Sequence, residues 1–104
     1  MQPHQLSSGD VIADRRADYA RMLEEGGEPE AAAELMEQAL ELVPAWAAGW
    51  YRLATYHEKA GKTEAAIEAY RRTLELDPDD IFGAGLKLAE FSNLRALVDR
   101  ILDR

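Results

Sequence analysis

The sequence predicts an all-α protein made of repeated pairs of antiparallel helices. Its apolar residues recur at helical spacing, as in the stripe of Trp50, Leu53, Ala54 and His57. Helix-ending residues separate such stripes, and Gly61 is one example, because glycine reaches the left-handed conformation without strain. The first part of the chain also matches the second at a constant offset, so we expect tandem repeats and no strand.

The internal repeat has a spacing of about 34 residues, a period at which helical-pair repeats occur. The residues that coincide include helix breakers, so the same turns are expected in both copies. The coinciding pairs are Ala20 and Ala54, Glu24 and Glu58, Gly27 and Gly61, Ala31 and Ala65, Ala32 and Ala66, Leu40 and Leu74, Glu41 and Glu75, Leu42 and Leu76, and Pro44 and Pro78. We therefore expect a single domain over residues 10–104 after a flexible lead over 1–9, with repeats at 13–46 and 47–80 and a degenerate third helical pair or cap at 81–104.

Residues 47–80 resemble the tetratricopeptide repeat. The residues that match its pattern are Trp50, Leu53, Ala54, His57, Gly61, Ala66, Tyr70 and Pro78. Ala54 stands where the family more often has Gly, and His57 stands where it more often has Tyr. The resemblance implies helix-turn-helix units stacked as a short right-handed superhelix, in which the first helix of each unit lines a concave groove.

The first helical pair has recognisable boundaries. Its first helix is expected to start near residues 8 to 10, because Ser7 and Asp10 resemble a capping box. Gly26 and Gly27 should end that helix. Pro29 fits the first turn of the next helix, where a missing N–H costs little.

The second pair should bring its helices close together. Ala54 and Ala66 are small enough to allow this approach, while Tyr70 fills the space beside them. Thr63 is expected to cap the second helix of the pair. Asp77 before Pro78 should close the unit, because a residue that precedes Pro is pushed out of helical geometry.

The third pair is the least regular part of the pattern. We expect one helix over about 79–90 and a last helix capped by Ser92, which makes six helices in three antiparallel pairs. The last helix carries an apolar stripe that should either cover the end of the third unit or pair between chains. The residues of this stripe are Leu94, Leu97, Val98, Ile101 and Leu102.

Composition argues against several kinds of site and partner. The 104 residues include no Cys, which excludes disulfides and thiolate metal sites. The net charge is −8 with no basic patch on one face, so nucleic acid is not an expected partner. No apolar run approaches the ~20 residues that a bilayer span needs. Residues 1 to 9 also lack the features of a secretory signal, and we expect a cytoplasmic protein.

No catalytic constellation can be assembled from the sequence. There are two His residues, and His57 stands at a packing position while His4 lies in the lead. No pair of His has metal-ligand spacing on a helix, and no Gly-rich loop follows a strand. We therefore predict a non-enzyme without metal or cofactor.

The resemblance also implies which residues face the groove. The family's groove positions are the second, fifth, ninth, twelfth and thirteenth of each unit. Carried over to this chain, they are Asp14, Ala17, Arg21, Glu24 and Glu25 in the first repeat, Ala48, Tyr51, Thr55, Glu58 and Lys59 in the second, and Phe82, Gly85, Ala89, Ser92 and Asn93 in the third unit. Family members that hold the acidic tails of chaperones use a Lys and Asn clamp, which this chain lacks.

These residues favour a protein-interaction module that binds a peptide or a partner helix in the groove. The expected partner has an apolar anchor with basic flanks, because acidic residues outnumber basic ones among the groove positions. Two alternatives stay open. Residues 76–84 resemble the end of the repeat segment that precedes an S-adenosylmethionine-dependent methyltransferase domain in some bacterial proteins, which implies a scaffold or regulatory segment of a larger enzyme. The other alternative is self-association, with a homo-oligomer formed through the C-terminal helix.

Overall fold

The computed structural model describes residues 5–103, and this part of the chain is all-helical, as the sequence predicts. Five helices follow one another and no strand occurs between residues 5 and 103. The helices are α1 (Val11–Glu25), α2 (Pro29–Leu42), α3 (Ala47–Lys59), α4 (Thr63–Leu76) and α5 (Ala84–Leu102). None of them combines the length and the apolar character that a bilayer-spanning helix needs.

Two antiparallel pairs, α1 with α2 and α3 with α4, are joined by turns of the same design. Gly27 and Gly61 adopt φ values of +83° and +77° in these turns, where an L-residue would be strained. In each turn, backbone N–H groups close back onto the last carbonyls of the preceding helix, as from Glu28 to Leu23 at 2.8 Å and from Lys62 to His57 at 2.9 Å. The turn glycines predicted from the sequence are therefore confirmed.

The helix caps differ in part from the prediction. Asp10 caps α1 itself, because its Oδ1 accepts a hydrogen bond from Ala13 N at 2.9 Å, so the capping box with Ser7 is wrong. Thr63 is not a cap either. The carbonyl of Lys62 already accepts the first bond of α4, which places Thr63 inside the first turn. Pro29 does occupy the first turn of α2, as predicted.

Alanines form much of the core and bring the helices together. Ala54 and Ala66 are both fully buried, while Tyr70 and Trp46 supply the bulk beside such small residues. Trp50 is only half-buried, and its Nε1 donates to the Pro44 carbonyl at 2.8 Å. Both tryptophans thus pack within the fold, Trp46 completely and Trp50 in part.

The predicted third pair of helices is wrong. Residues 84–102 form one continuous helix, so there are five helices in residues 5–103 rather than six. The physical reason is that no Gly or Pro occurs between Leu86 and Leu102, and Ser92 lies in a helix interior without ending it. Consequently no sixth helix follows α5 to form a third pair within residues 5–103.

The lead at residues 1–9 is only partly described. Residues 1–4, which include His4, and residue 104 lie outside the described part of the chain. Within it, Ser8 is buried and its hydroxyl donates to Asp14 Oδ1 at 2.6 Å. Flexibility of the lead as a whole stays a prediction.

Candidate functional site

Helices α1 and α3 are joined along the side on which the sequence predicts a groove. The Arg52 guanidinium donates from Nη2 to the Ala17 carbonyl at 2.8 Å, and it also lies 3.3 Å from the Tyr56 hydroxyl. About two turns further along both helices, Lys59 forms an ion pair with Glu24. These contacts make one continuous surface of the two helices.

Aromatic rings connect α3 with the segment that leads into α5. Tyr51 stacks on Phe82 with ring centroids 5.8 Å apart, and its ring edge meets Tyr70 at 5.6 Å. Phe91 extends the group, 6.1 Å from Tyr70. Tyr51 is half-buried, so one part of its ring packs on its neighbours and another part stays open to solvent.

Glu58 ties α3, α4 and α5 together at this surface. It accepts a hydrogen bond from the Tyr70 hydroxyl at 2.8 Å, and Lys87 lies 3.6 Å from its other carboxylate oxygen. Burial, followed by this hydrogen bond, raises the pKa of Tyr70, so the phenol stays protonated and keeps donating. We call the face of α1, α3 and the start of α5 around Tyr51 the concave face, after the groove that the resemblance implies for this side.

The predicted groove residues fall into three groups by exposure. Ala17 and Ala48 are buried, because the helices pack directly across these small side chains, and they therefore do not line an open surface. The half-buried residues are Asp14, Glu24, Tyr51, Thr55, Phe82 and Gly85, and the exposed ones are Arg21, Glu25, Glu58, Lys59, Ala89, Ser92 and Asn93.

Asp14 is engaged by the segment before α1. Its carboxylate accepts hydrogen bonds from the Ser7 hydroxyl at 2.7 Å and from the Ser8 hydroxyl at 2.6 Å. Burial alone would raise the pKa of Asp14, but these hydrogen bonds outweigh burial and the pKa is lowered. Asp14 therefore fixes the start of α1, which removes it from the residues that are free to meet a partner.

The other acidic groups of the concave face have basic neighbours. Glu24 pairs with Lys59, Glu58 with Lys87, and Arg21 lies 3.0 Å from Glu25. The face is consequently less acidic than the sequence positions suggest. Because all these pairs are at least partly solvent-exposed, each contributes little to stability and can exchange for contacts with a partner.

Two residues of the concave face were missed in the sequence. Arg52 and Lys87 act through long side chains that reach a neighbouring helix. Only the i, i+4 spacing of Arg52 and Tyr56 pointed to part of this arrangement. A contact with Ala17, on another helix, has no counterpart in the spacing of residues along one helix.

His57 belongs to the helix packing. It is buried, its Nε2 lies 3.3 Å from Glu37 Oε1, and its Nδ1 is buried without a hydrogen-bond partner. Burial is the main reason that the pKa of His57 is lowered; Lys62 adds to this and Glu37 opposes it. No cluster of metal-ligating side chains occurs within residues 5–103.

A second surface lies at the other side of α5. We call the stripe of Leu94, Leu97, Val98, Ile101 and Leu102 the α5 open face, and its residues are 44% to 76% exposed. A cleft of about 310 Å³ runs between this helix and α4. It is lined by Thr63, Glu64, Ile67, Phe91, Leu94, Arg95, Val98 and Asp99.

Comparison with known protein families gives two matches. Family models described as tetratricopeptide repeat match residues 13–56 and residues 47–80. Together they cover α1 to α4 and the turn after α4, whereas α5 lies outside both matches. No curated protein matches the chain.

Proposed function

Because the chain belongs to the tetratricopeptide repeat family, we propose that it is a non-catalytic module that binds a peptide or partner helix on its concave face. Repeats of this family commonly mediate protein–protein interaction. The observation that carries the proposal is Tyr51, which lies half-open on the concave face with Phe82 and Tyr70 behind it.

Tyr51 has the properties of a binding anchor. Tyrosine is enriched in interfaces because it offers a large apolar area and a polar end with few rotatable bonds. Since Phe82 and Tyr70 hold the ring, little conformational freedom is lost when a partner contacts it. An apolar side chain of a partner would cover the open part of the Tyr51 ring.

The proposed partner carries Lys or Arg beside its apolar anchor. The whole chain has a net charge of −8, which attracts basic segments over a distance. At short range the attraction is smaller, because Lys59 and Lys87 already neutralise Glu24 and Glu58. Charge should therefore affect the association rate and its salt dependence more than the final affinity.

The proposal is tested by calorimetric titration of the chain with two peptides. One has an apolar anchor with basic flanks, and the other is an acidic C-terminal tail. We expect the first to bind more tightly and Tyr51→Ala to weaken it by about tenfold or more, since anchors of this kind typically contribute over 1 kcal/mol.

Tyr19→Ala provides the matched control. Tyr19 is 54% exposed on α1 and is not a groove position, so this variant should bind like the wild type. Thermal melts of both variants check that Tyr51→Ala has not simply unfolded the chain. Tighter binding of the acidic tail, or equal binding by wild type and Tyr51→Ala, would refute the proposed groove chemistry.

The remaining interpretations of the sequence stay predictions. They are a scaffold or regulatory segment of a larger methyltransferase and a cytoplasmic location. The first is checked by asking whether the natural reading frame continues into a methyltransferase domain.

A further inference from the structure

The α5 open face is an apolar stripe that the fold leaves uncovered along one helix. Six of the large hydrophobic residues that are exposed in the described chain belong to α5: Leu86, Leu94, Leu97, Val98, Ile101 and Leu102. Single exposed apolar residues are normal, but a contiguous stripe of them marks an interaction surface. The question is which molecule covers it.

The arrangement of the other helices indicates the kind of occupant. α1 packs on α2 and α3 packs on α4, each as a helix pair joined by a short turn, whereas α5 packs on α4 and no sixth helix follows to pair with it within residues 5–103. An antiparallel helix pair is nearly symmetric about a two-fold axis perpendicular to it. When two chains pair their α5 helices, each α5 therefore serves as the missing second helix of the other chain's third pair. This is the isologous arrangement that most homodimers use.

Charge favours the same occupant. The chain as a whole is strongly acidic, so two copies repel each other at long range. Residues 84–103 carry no net charge, because three basic residues balance three acidic ones: Lys87, Arg95 and Arg100 against Glu90, Asp99 and Asp103. Copies can thus approach through α5 at a lower electrostatic cost than through α2, which has four Glu and no basic residue, and each α5 carries both signs for pairing across the axis.

The cleft between α4 and α5 gives the second helix a place to lie. Its walls are apolar at Ile67, Phe91 and Val98, and Glu64, Arg95 and Asp99 lie at its edges. The mixed signs at the edges match the mixed signs on α5 itself. The stretch of α5 from Phe91 to Leu102, which borders the cleft and carries the α5 open face, is about 18 Å long at 1.5 Å per residue.

We propose that the α5 open face is a self-association interface, in which two copies pair their α5 helices antiparallel about a two-fold axis. The interface is at the small end of specific ones, so the dimer forms in a concentration-dependent way. This inference goes beyond the proposed peptide binding and uses different residues from the concave face.

Sedimentation equilibrium over a dilution series tests the proposal. We expect a mass that rises towards twice the 11.6 kDa of one chain at high concentration. Ile101→Glu should keep the monomer mass throughout, because it places a charge among the apolar residues of the α5 open face. Ile12→Glu is the matched control, since Ile12 on α1 is 57% exposed and Ile101 is 56% exposed.

A proximity measurement supplements the mass. The chain has no Cys, so Val98→Cys introduces a single thiol at the α5 open face, and Val11→Cys places one on α1. A short bismaleimide should link two Val98→Cys chains and leave Val11→Cys chains unlinked.

A wild-type chain that stays monomeric at every concentration would overturn the proposal. So would a dimer that survives Ile101→Glu, or one that Ile12→Glu disrupts equally. Circular dichroism checks that both glutamate variants stay helical. Tyr51→Ala should leave the dimer intact, so failure of the peptide-binding proposal and failure of this one are distinguishable.

Discussion

Gly49 shows how tightly single residues are fitted in this fold. A Cβ added to Gly49 would lie 2.5 Å from Trp46 Cε3 and 2.9 Å from Leu40 Cδ2, although Gly49 is in a helix where Ala is intrinsically favoured. Trp46 is fully buried, so it has little room to move away. We expect the packing clash to outweigh the gain in helix propensity.

Gly49→Ala should therefore lower the free energy of unfolding by about 1–3 kcal/mol, the usual cost of overpacking. Gly26→Ala is the control, because a Cβ there has no neighbour closer than 3.4 Å. Urea denaturation of both variants measures the difference. A Gly49→Ala chain as stable as the wild type would mean that Trp46 can shift at no cost.

His57 links stability to pH. Its pKa in the folded chain is lowered from 6.5, so protonation favours the unfolded state. Well above pH 6.5 the ring is neutral in both states and contributes no pH dependence. As the pH falls below 6.5, the unfolded chain binds a proton that the folded chain resists, and the free energy of unfolding decreases.

Substitutions of His57 and of its neighbour Glu37 should change the pH dependence of stability in opposite directions. His57→Gln should reduce the loss of stability between about pH 7 and pH 5, the range in which histidine titrates. Glu37→Gln should enlarge that loss, because Glu37 opposes the lowering of the His57 pKa. Thermal melts at the two pH values measure both effects, and a wild-type slope in His57→Gln would exclude His57 as its source.

The elements follow the sequence closely where a turn needs a special backbone conformation. Gly27 and Gly61 could be identified as turns because few other residues adopt a positive φ there. The continuation of α5 past Ser92 could not be predicted, because Ser occurs both as a helix cap and in helix interiors. Asp10 as the cap of α1 was obscured in the same way by the neighbouring Ser7.

The candidate site could be predicted only at the level of single helices. The resemblance to the repeat assigns Tyr51 to a groove position, and its role there stays a prediction. Its contacts with Tyr70 and Phe82, and the reach of Arg52 to Ala17, depend on how helices distant in sequence lie together. Spacing along one helix contains no information on such contacts.

The pairing of α3 with α4 depends on small residues at the contact. Ala54 and Ala66 are both fully buried. Ala54→Leu should lower the melting temperature by several degrees, because a 100-residue domain shifts by roughly 4–8 °C per kcal/mol. Ala89→Leu, at an exposed helical position, is the matched control, and Glu34→Ala on exposed α2 surface should also be neutral.

Equal effects of Ala54→Leu and Ala89→Leu on the melting temperature would show that α3 and α4 do not meet at Ala54. A large effect confined to Ala54→Leu would support close approach as the reason for alanine at this position.

The whole molecule presents two surfaces with different chemistry. The concave face combines an aromatic centre at Tyr51 with paired charges, whereas the α5 open face is an exposed apolar stripe on the last helix of the described chain. Taken together, the proposed peptide binding and the proposed self-association require these surfaces to act separately, one on a peptide and the other on a second copy.

Amide chemical shifts of the ¹⁵N-labelled chain test this claim most directly, in one peptide titration and one dilution series. The basic-flanked peptide should shift amides near Tyr51, Thr55 and Lys59, and dilution should shift those of residues 94–102. Separate sets of shifted amides are the predicted result. If both experiments shift the same set, or if the peptide shifts residues 94–102 and leaves Tyr51 unchanged, the claim of two independent surfaces is contradicted.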